Sequence, residues 1–263
     1  MSEEAAALVR YEVDGRVATI TLDRPAALNA VSGAMADELN AAFCKAAADD
    51  GVWAVVLGAA GEKAFCVGAD LKERAGFTLD DFHRNREQVR GMFEALRSVP
   101  QPVVASAFGF ALGGGFELVL SCDLVVAAEG TTFGLPEARV GLLPAGGGTQ
   151  LLTRKAGPSR AKELIFTGRR IDAAEAAGSG LVHRVVPRGS LAEATADLAA
   201  EICKSSPVAV RAAKAAIDAA LGVPVEDGIE IEHHRWETVI ASADRAEGIA
   251  AFNDKREPQW RNR

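Results

Sequence analysis

Apolar and polar residues alternate in two stretches near the N-terminus, Leu8 to Val13 and Val17 to Leu22. Alternation with a period of two is typical of half-buried β-strands. The pair Asp14-Gly15, which the two stretches flank, is common in tight turns. The chain is therefore predicted to begin with a β-hairpin.

Helical spacing of apolar residues follows the hairpin. Ser32 is placed to cap a helix, since serine oxygens accept hydrogen bonds from free N–H groups at helix starts. The apolar face of this helix is Met35, Leu39, Ala42, Phe43 and Ala46. Thr78 and Asp81 form a second capping signature. They predict another helix, whose core-facing residues are Met92, Phe93 and Leu96.

Short runs rich in β-formers at residues 52–57, 103–107 and 124–128 predict buried strands. From about Ser190 onwards the sequence pattern changes to alanine-rich stretches with helical spacing of apolar residues. These patterns cover residues 190–205, 207–221, 225–241 and 244–252. The sequence thus predicts a mixed α/β core over residues 1–190 and a helical C-terminal region over residues 191–263.

The composition adds no element to this prediction, but it argues against several classes of partner and site. Among 263 residues, 29 Lys and Arg face 36 Asp and Glu, a net charge of -7, so a nucleic-acid partner is not expected. The N-terminus has no secretory pattern, and no apolar run is long enough for a bilayer. Four cysteines are too widely spaced for a metal or disulfide pattern, which favours a reducing cytoplasmic location. They are Cys44, Cys66, Cys122 and Cys203.

Candidate chemistry begins with three glycines, Gly113 to Gly115, between a predicted strand and a predicted helix. Glycines permit close backbone approach, and free N–H groups at a helix start can stabilise an oxygen that gains negative charge. Glu117 lies just inside this helix, near enough to face the same cavity. The alternative is that the glycines only permit close packing and that Glu117 is solvated.

Two further segments have related character. Gly68-Ala69-Asp70 follows an apolar stretch and could supply a second backbone N–H, or it could be an ordinary turn after a strand. Pro136 precedes Glu137 in apolar surroundings, where an acid is costly unless it is paired or functional. Two carboxyls sharing one site would titrate as a coupled pair.

Other catalytic arrangements find little support. The sequence contains neither a Gly-x-Ser-x-Gly elbow nor a phosphate-binding P-loop nor a dinucleotide fingerprint. The four histidines, at positions 83, 183, 233 and 234, have no convincing partners, so solvated or packing roles are expected. Cys66 is a conceivable nucleophile beside the second backbone donor, but a buried strand cysteine is the simpler interpretation.

Taken in order, short segments along the chain resemble the enoyl-CoA hydratase (crotonase) family from about residue 8 to the C-terminus. The central ones are Ala-Leu-Gly-Gly-Gly-Phe-Glu-Leu at residues 111–118 and Phe-Gly-Leu-Pro-Glu at residues 133–137. The earlier ones are Arg24-Pro25, Leu28-Asn29-Ala30 and Gly68-Ala69-Asp70-Leu71. The later ones are Thr167-Gly168-Arg169, residues 173–177 and Val185-Val186-Pro187.

The resemblance implies an α/β fold, a spiral of repeated ββα units closed by a C-terminal helical trimerisation region. It implies a homotrimer, with a dimer of trimers as an option. It implies an acyl-CoA thioester substrate, and neither a separate cofactor nor a metal. It places the oxyanion hole at the backbone N–H groups of Ala69 and Gly114. The residues that it implies for substrate and CoA binding are Ala26, Leu28, Val67, Gly68, Ala69, Asp70, Leu71, Gly113, Gly114, Pro136, Phe252 and Lys255.

The activity implied is that of a 2-enoyl-CoA hydratase of fatty-acid metabolism, because family hydratases carry both glutamates and Glu117 and Glu137 are present. Many isomerases of the family keep only one. Three alternatives stay open: an enoyl-CoA isomerase, a carnitinyl-CoA dehydratase and a non-catalytic acyl-CoA-binding protein. The tail from Phe252 to Trp260 is similar to members that act on carnitinyl-CoA. Phe252 and Lys255 either approach CoA, sometimes from a neighbouring subunit, or simply finish the last helix.

Overall fold

The computed structural model describes residues 7–263. The strands are β1 (Val9–Asp14), β2 (Val17–Leu22), β3 (Ala54–Ala59), β4 (Ala64–Cys66), β5 (Val103–Ala107), β6 (Phe110–Leu112), β7 (Leu124–Ala128), β8 (Thr132–Gly134), β9 (Arg170–Asp172) and β10 (Arg184–Val186). The helices are α1 (Gly33–Ala48), α2 (Leu71–Arg74), α3 (Leu79–Arg97), α4 (Gly114–Ser121), α5 (Gly148–Ala156), α6 (Pro158–Thr167), α7 (Ala173–Gly178), α8 (Leu191–Cys203), α9 (Pro207–Ala220), α10 (Val225–Ile240) and α11 (Ala243–Asp254). Three 3-10 turns lie at Pro25–Ala27, Glu137–Val140 and Arg188–Ser190.

The strands form two sheets that share a repeating connection. A six-stranded sheet has the order β1-β2-β3-β5-β7-β10, and a four-stranded sheet has the order β4-β6-β8-β9. Each turn of the chain adds one parallel strand to the large sheet and the next strand to the small one, as in β3–β4, β5–β6 and β7–β8. Helices α3, α4 and α5 follow these pairs, so the predicted spiral of ββα units is confirmed.

The local signals near the N-terminus are borne out with one correction. Ser32 accepts a hydrogen bond from the backbone N–H of Met35, and Thr78 with Asp81 forms a complete capping box. The hairpin turn lies one residue later than predicted, because Asp14 still pairs with Val17. Gly15 takes the positive φ of 56° that the turn needs.

The start of α4 packs directly on the edge strand of the small sheet. Gly115 faces the carbonyl of Cys66 so closely that a Cβ atom at Gly115 would overlap that oxygen. A Cβ atom at Gly68 would lie 2.9 Å from the backbone nitrogen of Gly114. The glycines therefore bring two backbone segments together, and this approach positions the site described below.

The C-terminal helices differ in how much they bury. Helix α8 packs on the large sheet, where Leu191 and Leu198 contact a cluster that includes Val104 and Phe108. Helix α9 is tied to the core through Lys214, whose Nζ lies 2.6 Å from Asp123. Helix α10, in contrast, has no buried residue among its described positions. Its exposed apolar side chains are Val225, Ile229 and Trp236.

The close approach of Gly115 predicts a stability effect. Gly115→Ala should lower the free energy of unfolding by about 1–3 kcal/mol or more, since a methyl group has no space beside Cys66. Urea unfolding followed by circular dichroism measures the change. Gly178→Ala is the matched control, because no atom lies within 4 Å of a Cβ there. Equal stability of the two variants would show that the approach is looser than described.

Candidate active site

A cavity of about 720 Å³ lies between the small sheet and helices α2 and α3. Its lining includes both candidate acids and most of the predicted binding residues. These are Val67, Gly68, Ala69, Leu71, Gly113, Gly114, Glu117, Pro136 and Glu137. The structure thus brings together three segments that lie far apart in the sequence.

Glu117 is buried on the first turn of α4, with 3% of its surface exposed. Its Oε1 accepts hydrogen bonds from the backbone N–H groups of Gly146 and Gly148, each at 2.7 Å. Burial raises the pKa of this carboxyl, and the backbone hydrogen bonds oppose that rise. The solvated alternative for Glu117 is therefore wrong.

Glu137 reaches the cavity from the 3-10 turn at Glu137–Val140. Its Oε1 lies about 3.1 Å from the position of a Cβ atom on Gly113, so it faces the glycine segment. Its Oε2 is buried and has no hydrogen-bond partner among the described residues. Burial, reinforced by the charge of Glu117, raises the pKa of Glu137 to about 7.

Two residues that line this cavity, Ala69 and Gly114, have backbone N–H groups without an acceptor among residues 7–263. Gly114 is the first residue of α4, where an N–H has no partner within the helix. The N–H of Ala69 likewise makes no hydrogen bond within residues 7–263, whereas its neighbour Asp70 donates to Val31. A Cβ atom on Gly114 would lie 3.8 Å from the nitrogen of Ala69, so the two donors are adjacent.

The loop that holds Glu117 was not among the predicted site residues. Its glycines, Gly146 and Gly148, belong to the run of residues 146–148 that follows the Glu137 segment. Both are tightly enclosed: a Cβ atom on Gly146 would overlap the ring of Phe93, and one on Gly148 would lie 2.9 Å from the Glu117 carboxyl. Arg97 steadies the loop by donating from Nη1 to the Gly146 carbonyl at 2.9 Å.

Five predicted substrate or CoA residues do not line this cavity. Ala26 lies on an exposed 3-10 turn, and Leu28 follows it with a carbonyl that accepts from Val67 at 3.3 Å. Asp70 instead caps α2 and pairs with Arg24 at 2.5 Å, a contact that lowers the pKa of its carboxyl. Phe252 is 84% exposed at the end of α11, and Lys255 follows it.

Cys66, His183 and His83 lie in three different environments: a buried strand, a contact with a neighbouring strand and the lining of the cavity. Burial raises the pKa of the Cys66 thiol to about 12, which disfavours the thiolate that a nucleophile needs. His183 has a structural role, since its Nδ1 accepts a hydrogen bond from the N–H of Val125. His83 does line the cavity, which sequence reasoning missed because helix α3 gave no sign of where its polar face points.

A second cavity, of about 780 Å³, lies between the large sheet and α8. Neither glutamate lines it, and Asp14 is its sole acidic residue among the described lining. Among residues 7–263, no group of three or more His, Cys, Asp and Glu side chains is arranged to hold a metal ion. None of the described helices is both long and apolar enough to span a membrane. Of the two cavities, the one of about 720 Å³ therefore contains both glutamates beside the backbone N–H groups of Ala69 and Gly114.

Comparisons with known proteins agree on one family. The family model described as "Enoyl-CoA hydratase/isomerase" matches residues 12–263. A Rhizobium meliloti protein named "Probable enoyl-CoA hydratase" is 42% identical over 96% of this chain and 97% of its own. An Arabidopsis thaliana protein named "Probable enoyl-CoA hydratase 2, mitochondrial" is 39% identical over 94% of this chain and 82% of its own.

A solved structure gives the same result for the fold. The crystal structure of an enoyl-CoA hydratase from Bacillus anthracis has a TM-score of 0.95 and 41% identity, covering 98% of this chain and 100% of its own. The predicted fold and family are therefore both confirmed. With a family model across nearly its whole length and relatives at about 40% identity, this chain belongs to the enoyl-CoA hydratase/isomerase family.

Proposed function

We propose that the protein is a hydro-lyase that adds water syn across the 2,3 double bond of a 2-enoyl-CoA, giving a 3-hydroxyacyl-CoA, as in fatty-acid oxidation. One observation carries this proposal. Buried Glu117 and half-buried Glu137, on separate elements, line the same cavity as two adjacent free backbone N–H groups. Relatives named enoyl-CoA hydratase support the same activity.

The two backbone donors suit the thioester carbonyl. Addition of water at the β carbon moves negative charge onto the thioester oxygen, which becomes an enolate. The N–H groups of Ala69 and Gly114 are fixed by the surrounding backbone, so they bind this charge without reorganising. Such donors stabilise the transition state more than the ground state, which is the requirement for catalysis.

The environments of the two acids suit different roles. Glu117 receives two backbone hydrogen bonds, which favour its ionised form, so it orients the water and takes its proton. Glu137 has a buried oxygen without a donor and a pKa of about 7, so it holds a proton that it can deliver to the α carbon. Both groups act on one water between them.

A neighbouring subunit would complete the CoA site. Phe252 and Lys255 lie outside the cavity of their own chain, and Phe252 is almost fully exposed. The exposed apolar side chains of α10 supply a surface that a second copy would cover. Both features support the proposed homotrimer, or a dimer of trimers, in which one subunit's tail reaches the next subunit's CoA.

We also propose that the reaction needs no separate cofactor. CoA enters as part of the substrate, and the proposed chemistry uses only carboxyl groups, water and backbone N–H groups, without a separate cofactor. A cytoplasmic location is proposed from the sequence, although three relatives carry "mitochondrial" in their names. Hydration and isomerisation are distinguished by assay: crotonyl-CoA should lose its conjugated absorbance, whereas an isomerase would raise absorbance from a 3-enoyl-CoA.

Removal of either acid should abolish most turnover. Glu117→Gln and Glu137→Gln should each lower kcat for crotonyl-CoA by about 10²–10⁴-fold, the usual contribution of general acid/base groups. Glu62→Gln, at an exposed position outside the cavity, is the control. Near-normal turnover in either variant would remove that glutamate from the mechanism.

The pH dependence follows from the proton that Glu137 must hold. As pH rises through about 7, Glu137 loses this proton, so kcat/KM should fall on the alkaline side. On the acid side the rate should fall as Glu117 becomes protonated, at a pH above the ordinary carboxyl range because burial raises its pKa. Steady-state rates between about pH 5 and pH 9 test both limbs. A rate that increases through pH 7 would reverse the assignment.

A matched pair of variants tests the oxyanion donor. Proline is tolerated at the first position of a helix but has no N–H, so Gly114→Pro should lower kcat by about 10²–10³-fold while keeping the fold. Gly114→Ala keeps the N–H, and its Cβ would make ordinary contacts at 3.5 Å or more. It should therefore retain activity within several-fold. Equal losses in the two variants would mean that sterics, and not the donor, explain the effect.

A further inference from the structure

Four basic side chains line the active-site cavity. One of them, Arg139, donates from Nε to the Thr167 carbonyl, and the other three lie on the side formed by α2 and α3. Arg74 comes from α2, and His83 and Arg86 come from α3. The acidic residues in the described lining of this cavity are Glu117 and Glu137. Hydration of a simple enoyl group uses none of these three basic groups, so their presence calls for another explanation.

Among the arginines of α3, Arg86 alone has neither an ion-pair nor a hydrogen-bond partner within the described residues, since Arg97 donates to the Gly146 carbonyl. Arg84 pairs with Asp81, and Arg90 pairs with Glu94. Arg74 donates from Nε to Asn85 at 3.1 Å and makes no ion pair within the same range. Two guanidinium groups therefore face one cavity without a carboxylate between them.

The two arginines are also close enough to repel each other. Burial lowers the pKa of Arg74, the negative charge of Glu73 opposes this, and the positive charge of Arg86 adds a smaller lowering. Like charges held beside one cavity are destabilising unless an anion binds between them. A guanidinium presents several N–H donors in a plane, which matches the two oxygens of a carboxylate.

Arg86 is close to the reacting end of the site. Burial dominates the raised pKa of Glu117, and among the opposing influences is the positive charge of Arg86. An anion bound at Arg86 would thus lie near the carbons on which Glu117 acts. The nucleotide phosphates of CoA are separated from the thioester by the long pantetheine chain, so they are poorly placed to be this anion.

We propose that Arg86 and Arg74, with His83 beside them, form a binding site for a carboxylate on the acyl group, so that the preferred substrate is an enoyl-CoA with a negatively charged far end. This inference rests on the proposed hydratase function and adds a substrate class to it. The arginines would also offset the repulsion between such a carboxylate and Glu117. The apolar residues Phe82 and Val89 on the same helix would contact the chain between the two ends.

Binding of saturated ligands tests the site apart from catalysis. Glutaryl-CoA carries the carboxylate, 5-methylhexanoyl-CoA replaces it with an isopropyl group of similar shape, and free CoA has no acyl group. Isothermal titration should show that Arg86→Gln weakens glutaryl-CoA about 10-fold, the size expected for a charge-assisted hydrogen bond. The other two ligands should change by no more than about twofold.

The control is Arg84→Gln, which removes the same charge from α3 outside the cavity and should leave all three affinities unchanged. Arg74→Gln should resemble Arg86→Gln, and its Tm is measured because Asn85 loses a partner. Equal weakening of glutaryl-CoA and free CoA in Arg86→Gln would assign the arginine to CoA and overturn the proposal. Unchanged affinity for glutaryl-CoA would overturn it as well.

Hydration of crotonyl-CoA by the same wild-type preparation separates this proposal from the function on which it rests. Hydration without any selective effect of Arg86→Gln would leave the hydratase standing and remove the carboxylate site. A selective effect without hydration would keep the site and remove the hydratase. Hydration together with the selective effect supports both.

Discussion

The whole arrangement depends on the burial of the Glu117 carboxyl against two backbone N–H groups. A buried carboxyl is costly unless donors satisfy it, and Gly146 and Gly148 supply those donors at hydrogen-bonding distance. Their approach requires the absence of side chains, since Phe93 and the carboxyl itself fill the adjacent space. The start of α5 is thereby fixed to α4, and the same contact orients the Glu117 carboxyl.

The second constraint is the repeated path of the chain between two sheets. Because β4, β6 and β8 lie side by side, the segments that leave them converge at one edge. Ala69 follows β4, Gly114 follows β6 and Glu137 follows β8. The repeat therefore delivers one functional group per turn to a common cavity, and the fold explains why groups so distant in sequence meet.

Local features were predictable because their physical causes are local. The hairpin, the Ser32 cap and the Thr78 capping box depend on residues within a few positions of one another. The glycine helix start and its acid were also visible in the sequence, and the resemblance supplied their pairing with Glu137. The hydrogen bond from the Gly146 N–H to Glu117 was not predictable, because 29 positions separate the two residues and no short sequence pattern encodes the contact. The short strands β6 and β9 were not predicted either, because three residues are too few to show a periodic pattern.

Helix α10 has a consequence for how this protein responds to dilution. With no buried residue in its own subunit, it gains little tertiary stabilisation there, and isolated helices of this length are marginal in water. Helix α9 packs beside it, and a cover over Trp236 and its apolar neighbours would stabilise it further. If that cover is another copy of the chain, dilution would expose α10 but leave the spiral core unchanged. The amide hydrogen-exchange rates of α10 would then depend on protein concentration, whereas those of the sheets would not.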